Sequence, residues 1–252
     1  MKEKRITGAF ARAKAEGRGA FVAYLTMGCP SLEASEKAAD EIVAGGADVL
    51  ELGVPFSDPF ADGGVIRSAA YEALRQGVAL DSVLESARRI RDRHPETGIV
   101  LFTYYNPVFS KGPEKFAAAA EEAGIDAVLC VDLPLEERGE LVRHLSPRGI
   151  GYIPLIAPNT PLPRVTASEE GLDNSFLYAI TVKGITGARA ELPADLAERL
   201  DAIRSVARLP VAAGFGISTR AQAAEVCRHA DGFVVGSALV RLVSEGKRPC
   251  LG

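Results

Sequence analysis

Residues 50–64 read Leu50-Glu51-Leu52-Gly53-Val54-Pro55-Phe56-Ser57-Asp58-Pro59-Phe60-Ala61-Asp62-Gly63-Gly64. The apolar run at 48–52 is typical of a strand buried in a parallel sheet, where a carboxylate such as Glu51 is costly unless the protein uses it. A second carboxylate, Asp62, lies in the proline-braced loop that follows. Two acids placed in this way predict proton-transfer chemistry.

Short apolar runs alternate with longer segments of helical periodicity along the whole chain. The predicted strands lie near 20–25, 48–52, 98–104, 126–131, 150–156, 175–181, 209–213 and 232–235. An N-terminal helix at about 2–16 comes first, and the other predicted helices cover 32–44, 64–76, 81–93, 113–123, 135–145, 161–167, 193–206 and 219–229. Eight strands is the number in a (β/α)8 TIM barrel, an α/β fold, and we expect one such barrel domain over 1–252. An open doubly wound sheet fits the same alternation, but it usually has a glycine-rich turn after its first strand, which residues 26–30 lack.

The composition narrows the class of protein. With 252 residues and 47% hydrophobic side chains the chain can form a full core, and a net charge of −4 without a basic run argues against nucleic acid as a partner. The apolar run at 20–25 is too short to span a membrane and is predicted to be a strand rather than a signal peptide. Because the four cysteines have neither metal-binding nor redox spacing, we expect reduced thiols in a cytoplasmic protein without a metal site.

In a barrel the chemistry lies at the carboxyl ends of the strands. The histidines, His94, His144 and His229, fall at predicted helix ends, which disfavours a histidine base or a histidine-ligated metal. Two glycine-bearing turns, 213–218 and 231–237, follow the predicted seventh and eighth strands and precede helices, where backbone N–H groups attract an anion. Although one such turn is a weak signal, the two together predict a phosphate pocket.

Residues 51–63 resemble the signature of the tryptophan synthase alpha chain family. Further matches follow in the family's order and span nearly the whole chain: Tyr104-Tyr105-Asn106-Pro107, Asp132-Leu133-Pro134, Ala157-Pro158-Asn159-Thr160, Gly184-Ile185-Thr186-Gly187, Gly214-Phe215-Gly216-Ile217 and Val235-Gly236-Ser237-Ala238. The first motif is specific to the family, whereas the glycine turns alone would fit many phosphate-binding barrels.

The resemblance implies a lyase of L-tryptophan biosynthesis that cleaves indole-3-glycerol phosphate into indole and glyceraldehyde 3-phosphate by a retro-aldol reaction. Glu51 matches the family's acid and base, and the apolar barrel mouth should raise its pKa. Asp62 matches the residue that accepts a hydrogen bond from the indole N–H, and in a wetter loop it should stay ionised. Asp62 is also an acceptable turn or helix-cap residue, and Asp58 is expected to be structural or to lie at a subunit contact.

The resemblance also implies the substrate-binding residues. The positions that match the indole slot are flat or apolar and could equally be barrel core: Tyr24, Phe102, Leu129, Tyr178 and Phe215. Tyr104 matches a position near the reacting carbon, and Thr186 matches one in a lid at 182–189 that would bond Asp62 on closure. The implied phosphate ligands, mainly through backbone N–H groups, are Gly187, Gly216, Gly236 and Ser237.

A tryptophan synthase beta chain is the implied partner, in an alpha2-beta2 heterotetramer that forms at the rim loops 55–62 and 183–189. Pyridoxal phosphate belongs to that partner, so no cofactor is expected in this chain. Two other functions stay open: a stand-alone indole-releasing lyase, and a mainly non-catalytic subunit that activates the beta chain. A Schiff-base aldolase, a different class of enzyme, would need Lys183 in the predicted lid.

The sequence departs from the family pattern at three places. Fifteen residues follow Ser237, so a shortened final helix is expected to leave the ring of helices open beside the eighth strand. Cys29 stands where an acidic residue is common, and Phe102 is bulkier than the usual aliphatic side chain. Both of these substitutions are expected to loosen or reshape the substrate slot.

Overall fold

The computed structural model describes residues 4–180, 193–214 and 216–249. Within them, one parallel sheet is formed by the strands β1 (Ala20–Thr26), β2 (Val49–Gly53), β3 (Gly98–Thr103), β4 (Ala127–Cys130), β5 (Gly151–Tyr152), β6 (Leu155–Ile156), β7 (Leu177–Ile180), β8 (Val211–Gly214) and β9 (Gly232–Val235). The helices are α1 (Arg5–Ala15), α2 (Leu32–Ala44), α3 (Gly64–Arg75), α4 (Leu80–Arg93), α5 (Tyr105–Lys111), α6 (Pro113–Glu122), α7 (Gly139–Leu145), α8 (Leu162–Ser168), α9 (Leu196–Val206), α10 (Arg220–Val226) and α11 (Ser237–Ser244). A strand is found at every predicted strand position, which confirms the alternation inferred from the sequence.

The sheet closes into a barrel through the chain between β5 and β6. These two short strands are the ends of the strand order β5-β4-β3-β2-β1-β9-β8-β7-β6, yet only Ile153 and Pro154 separate them. The Ile153 N–H donates to the Val128 carbonyl on β4 at 2.9 Å, and the Tyr178 N–H on β7 donates to the Pro154 carbonyl at 3.0 Å. Because Pro154 has no N–H to give, the segment 151–156 is one interrupted strand, and the (β/α)8 barrel rather than the open sheet is confirmed.

Side chains alternate along the strands between two separate cores. On β2, Leu50 and Leu52 pack outward against the helices, whereas Val49 faces the barrel interior. The interior core contains, from the other strands, Val22, Tyr24, Val100, Phe102, Ala127, Leu129, Tyr178, Ala212 and Val234. This period of two places Glu51, between Leu50 and Leu52, on the interior side of β2.

Helix α1 closes the amino-terminal end of the barrel. Its buried residues recur at helical spacing and belong to the interior core: Ile6, Ala9, Phe10 and Ala13. The ring of Phe10 lies 5.2 Å from that of Phe176, between centroids. Arg5 adds an ion pair at 3.2 Å to the fully buried Asp126, which also pairs with Arg91 at 2.5 Å. One end of the barrel is therefore sealed by packing, which leaves the carboxyl ends of the strands for chemistry.

The helices differ from the prediction chiefly at α5 and α7, whereas the short α11 agrees with the expected shortened final helix. Helix α5 was not predicted; its Pro107 lies in the first turn, where a helix tolerates proline. Residues 135–138 form turns, so α7 begins at Gly139 rather than at 135. The final helix, α11, spans eight residues.

A cavity of about 880 Å³ lies over the outer side of β1 and β9 and runs toward the amino-terminal end of the barrel. Its floor includes Phe21 and Phe233, whose rings stack 5.1 Å apart, and its walls include Gly45 and Ala224. In the part of the chain that the structure describes, the layer of helices is therefore incomplete beside the eighth barrel strand, as the shortened final helix predicted.

We expect Phe10→Ala to lower the free energy of unfolding by about 3–5 kcal/mol, because the substitution leaves a cavity between α1 and Phe176. Equilibrium unfolding in urea measures the loss, and Lys14→Ala, at an exposed position of the same helix, is the matched control. A loss below about 1 kcal/mol for Phe10→Ala would contradict the packing of α1 into the barrel.

Candidate active site at the carboxyl ends of the strands

Glu51 lies inside the barrel with its carboxyl group withdrawn from water. Its backbone is in register with Tyr24 on β1 and Val100 on β3, and its exposed fraction is 0%. Neither carboxyl oxygen has a hydrogen-bond partner within residues 4–180, 193–214 and 216–249. Burial raises the pKa of Glu51 to about 8, in the predicted direction. At neutral pH the group is thus largely protonated and can act as an acid.

Asp62 lies in the loop after β2 and is 4% exposed. Its Oδ2 atom accepts a hydrogen bond from the Tyr104 hydroxyl at 2.9 Å. Burial raises the pKa of Asp62 to about 6, against the lowering effects of the Tyr104 hydrogen bond and the charge on Arg67. The expectation of a wetter environment was wrong, because the loop folds over the carboxylate. The expected difference between the acids is nevertheless present: among the residues that the structure describes, Asp62 has a hydrogen-bond donor and Glu51 has none, and the pKa of Asp62 is the lower of the two.

Tyr104 fixes the loop that carries Asp62. Its hydroxyl oxygen accepts a hydrogen bond from the Ala61 N–H at 3.2 Å while donating to Asp62. The Phe56 ring stacks on the Tyr104 ring at 4.9 Å, and the Phe60 ring meets it edge-on at 5.5 Å. Gly63, rather than Asp62, is the residue at the N-cap of α3, so a capping role for the Asp62 side chain is not needed.

Four of the five predicted indole-slot residues lie in the interior core of the barrel, and all four are buried: Tyr24, Phe102, Leu129 and Tyr178. The Tyr24 and Phe102 rings meet edge-on at 5.1 Å. The charges on both acids act on Tyr24 and on Tyr178 and raise the pKa of each hydroxyl beyond the effect of burial, so the two rings lie near both acids. The structure thus brings the apolar slot residues and the carboxylates to one place.

Sequence reasoning missed two glycines that make room for these rings. A Cβ atom on Gly53 would overlap the Tyr24 hydroxyl, and one on Gly214 would overlap the Tyr178 ring. Each glycine is the last residue of its strand and occupies a position that faces the barrel interior. The alternation of inward and outward residues along each strand was therefore the signal that could have found them. Phe56 and Phe60 were also missed, because their contact with Tyr104 joins two separate loops.

The two glycine turns lie at the ends of neighbouring strands. Strands β8 and β9 pair in parallel, so Gly216 follows one strand end and Gly236 and Ser237 follow the next. Gly216 has φ +91, a conformation that glycine adopts without strain, and Ser237 is the first residue of α11. This arrangement presents backbone N–H groups and a helix N-terminus at the barrel mouth. The predicted site residues Thr186, Gly187 and Phe215 and the lid at 182–189 lie outside the described residues.

The remaining candidates for chemistry lie elsewhere. His94 pairs with Asp40 at 2.7 Å, and His229 pairs with Asp201 at 2.9 Å. Among residues 4–180, 193–214 and 216–249, no group of three or more His, Cys, Asp and Glu side chains is arranged to hold a metal ion. Over the same ranges, no helix has the length and apolar character needed to cross a membrane.

Comparisons with known proteins agree with this geometry. A family profile described as tryptophan synthase alpha chain matches residues 10–250. The chain is 45% identical over 237 residues to the tryptophan synthase alpha chain of Citrifermentans bemidjiense, covering 94% of this chain and 88% of that protein. It is 42% identical over 241 residues to that of Zymomonas mobilis, covering 96% and 88%.

Solved structures give the same result. Tryptophan synthase of Mycobacterium tuberculosis superposes with a TM-score of 0.88 at 34% identity, covering 97% of this chain and 93% of that chain. The tryptophan synthase alpha subunit of Legionella pneumophila superposes equally well, with a TM-score of 0.88 and 34% identity, covering 98% of this chain and 93% of that chain. Because sequence and structural matches extend over almost the entire chain, it belongs to the tryptophan synthase alpha chain family.

Proposed function

We propose that this chain cleaves indole-3-glycerol phosphate into indole and glyceraldehyde 3-phosphate, as the alpha subunit of a tryptophan synthase. The observation that carries the proposal is the Glu51 carboxyl group, which is buried, has no hydrogen-bond partner in the described residues and has a pKa of about 8. Such a group can both give and take a proton near neutral pH, which is what a retro-aldol cleavage requires of one residue.

Glu51 performs two balanced proton transfers in this mechanism. Its neutral carboxyl group protonates C3 of the indole ring, which turns the ring into an electron acceptor. The resulting carboxylate then takes the proton from the hydroxyl on the adjoining carbon. The O–H electron pair forms the aldehyde carbonyl, the C3–C bond breaks into the ring to give indole, and Glu51 is again protonated.

Asp62 stabilises the ring while it is positively charged. With a pKa of about 6 it is mostly ionised at pH 7, so it can accept a hydrogen bond from the indole N–H. The Tyr104 hydroxyl holds the Asp62 carboxylate at 2.9 Å and orients it. The negative charge of Asp62 favours the protonated ring over the neutral one, and this difference lowers the barrier.

The substrate phosphate is bound by the turns after β8 and β9. The backbone N–H groups of Gly216, Gly236 and Ser237, with Gly187, are the proposed ligands, and the start of α11 adds a partial positive charge. Leu129, Tyr178, Phe102 and Tyr24, with Phe215, are the proposed walls for the indole ring, and Thr186 is the proposed lid contact to Asp62. Cys29 and Phe102, which depart from the family pattern, are both buried in the interior core beside this slot.

A beta chain is the proposed partner of the catalytic rim. Three large apolar side chains are exposed in the segments that follow β2, β3 and β6, in a loop, in α5 and at the start of α8: Phe60 at 67%, Phe109 at 66% and Leu162 at 37%. A beta chain that covers this rim would remove these apolar side chains from water, which favours association. The partner would hold the pyridoxal phosphate, and this chain would need no cofactor.

Two alternatives share the site. A stand-alone lyase would release indole without a beta chain, and a mainly non-catalytic subunit would stimulate a beta chain without releasing indole. A Schiff-base aldolase would depend on Lys183, which lies outside the described residues.

We expect purified protein to form indole from indole-3-glycerol phosphate, and a beta chain to increase the rate. Glu51→Gln and Asp62→Asn should each lower kcat by about 10²–10⁴-fold, because each removes a proton-transfer or charge-stabilising group. Asp58 is an exposed acid in the same loop, so Asp58→Asn is the matched control when the assay is run without a beta chain. Retained stimulation of a beta chain by Glu51→Gln would separate the two roles, and no indole from wild type with or without a beta chain would refute the activity.

Glu51 should also make stability depend on pH. The native pKa of about 8 lies above the unfolded value of 4.5, so the native state holds a proton that the unfolded state loses, and stability falls as pH rises between these values. Relative to Glu51→Gln, wild type should lose up to about 5 kcal/mol between pH 4.5 and 9. Urea unfolding at several pH values measures this, with exposed Glu114→Gln as the control, and a constant difference between wild type and Glu51→Gln would contradict the burial of the acid.

Ser237→Asp tests the phosphate turn. A carboxylate at the first residue of α11 should repel the substrate phosphate and raise KM by about tenfold or more, with a smaller effect on kcat. Ser237→Ala keeps the backbone N–H and should raise KM far less. Steady-state kinetics of indole release gives both values, and equal effects of the two substitutions would argue against backbone ligation.

A further inference from the structure

Glu51 needs a hydrogen-bond donor for the half of its cycle in which it is a carboxylate. The neutral acid can be buried without a partner, but an ionised carboxylate in an apolar barrel is strongly destabilised unless a donor reaches it. The structure holds Glu51 without a bond to any described residue. A donor that the side chain can reach by a small rotation would therefore determine how readily Glu51 becomes a base.

Tyr24 is placed to be that donor. Its Cα pairs in register with that of Glu51 on the neighbouring strand, so both side chains leave the sheet side by side on the interior face. Its hydroxyl lies against Gly53, two residues beyond Glu51 on the same strand and on the mouth side of it, where a Cβ atom would overlap it. The edge-on contact with Phe102 at 5.1 Å holds the ring in this position.

The Tyr24 hydroxyl is free enough to serve. The distance between its oxygen and that of the Thr26 hydroxyl is 3.4 Å, which is long for a hydrogen bond between hydroxyl groups. Burial raises the pKa of Tyr24, and the charges on Asp62 and Glu51 raise it further, so the hydroxyl stays protonated whenever either acid is ionised. It is thus a permanent donor near both carboxylates.

Other titratable groups also face this region. The charge on Glu51 also raises the pKa of Tyr178, on β7. The Tyr178 ring, however, lies against Gly214 on β8 and not against the strand that carries Glu51. Asp62 and Tyr104 lie nearer the mouth and already bond each other. Of these three hydroxyls, that of Tyr24 is the one that packs against the strand that carries Glu51.

We propose that Tyr24 is a positioning residue: its hydroxyl, held over Gly53, donates a hydrogen bond to the ionised Glu51 carboxylate and turns it toward the barrel mouth. The bond is stronger with the carboxylate than with the neutral acid, so it favours the charged state. The catalytic meaning of this bond rests on the proposed function, because it prepares Glu51 to take the proton of the substrate hydroxyl. The ring of Tyr24 remains a wall of the slot, where apolar contact alone is sufficient, and the hydroxyl has the separate role of positioning Glu51.

The test is the titration of Glu51 in Tyr24→Phe, which removes the hydroxyl and keeps the ring. Carbon NMR of protein labelled in its glutamate carboxyl groups, with Glu51→Gln to assign the signal, measures the pKa without substrate. We expect the Glu51 pKa to rise by about one unit, and the corresponding pKa in the kcat profile for indole release to rise equally, with KM changed less than about twofold. Thr26→Val and Tyr178→Phe are the matched controls, each removing one other hydroxyl.

A rise in Tyr24→Phe that exceeds the rise in both controls supports the proposal. No rise in Tyr24→Phe overturns it, as does an equal or larger rise in Thr26→Val or Tyr178→Phe. The NMR titration separates this inference from the activity. If the Glu51 pKa rises in Tyr24→Phe but the wild type releases no indole, the hydrogen bond is supported and the proposed function is refuted. Indole release by the wild type, together with an unchanged Glu51 pKa in Tyr24→Phe, keeps the proposed function and removes the hydrogen bond.

Discussion

The burial of a single carboxyl group, that of Glu51, constrains the rest of the site. A carboxylate enclosed by barrel residues and without a donor in the described chain is less stable than the neutral acid, so the pKa rises to about 8. A group with that pKa is an acid at neutral pH and becomes a base after one transfer. The apolar neighbours of Glu51 are therefore part of the chemistry, because a wetter strand end would return the side chain to an ordinary, ionised glutamate.

The loop after β2 produces a second acid with a different character from similar burial. Asp62 is nearly as enclosed as Glu51, but the Tyr104 hydroxyl donates to it, and its pKa stays near 6. Phe56 and Phe60 hold the Tyr104 ring from two sides, so the orientation of Asp62 depends on aromatic packing within the loop. Because Phe60 is also exposed at the rim, a contact made there by another protein would act on the same ring that positions Asp62.

Stability and chemistry are assigned to opposite ends of the barrel. At the amino-terminal end, Phe10 packs against Phe176 and Asp126 is neutralised by two arginines, which fixes α1 across the opening. At the carboxyl end, Gly53 and Gly214 have no side chain, so the rings of Tyr24 and Tyr178 can lie close to the strands. The first arrangement closes the barrel, and the second shapes the space in which a flat substrate can reach the acids.

The sequence by itself determined the order of strands and helices, the barrel, the two acids and the glycine turns. These are local signals: apolar runs, turn residues and a loop motif, each read within about fifteen positions. It could not determine that Asp62 is buried, since the residues that cover and bond it, Tyr104 among them, lie some forty positions away. Nor could it reveal that Tyr24 leans over Gly53, that β5 and β6 join the barrel through Ile153 and Pro154, or that residues 105–111 form a helix. Desolvation, register and ring packing arise only when distant segments meet, and those contacts decide which of the two acids is neutral at pH 7.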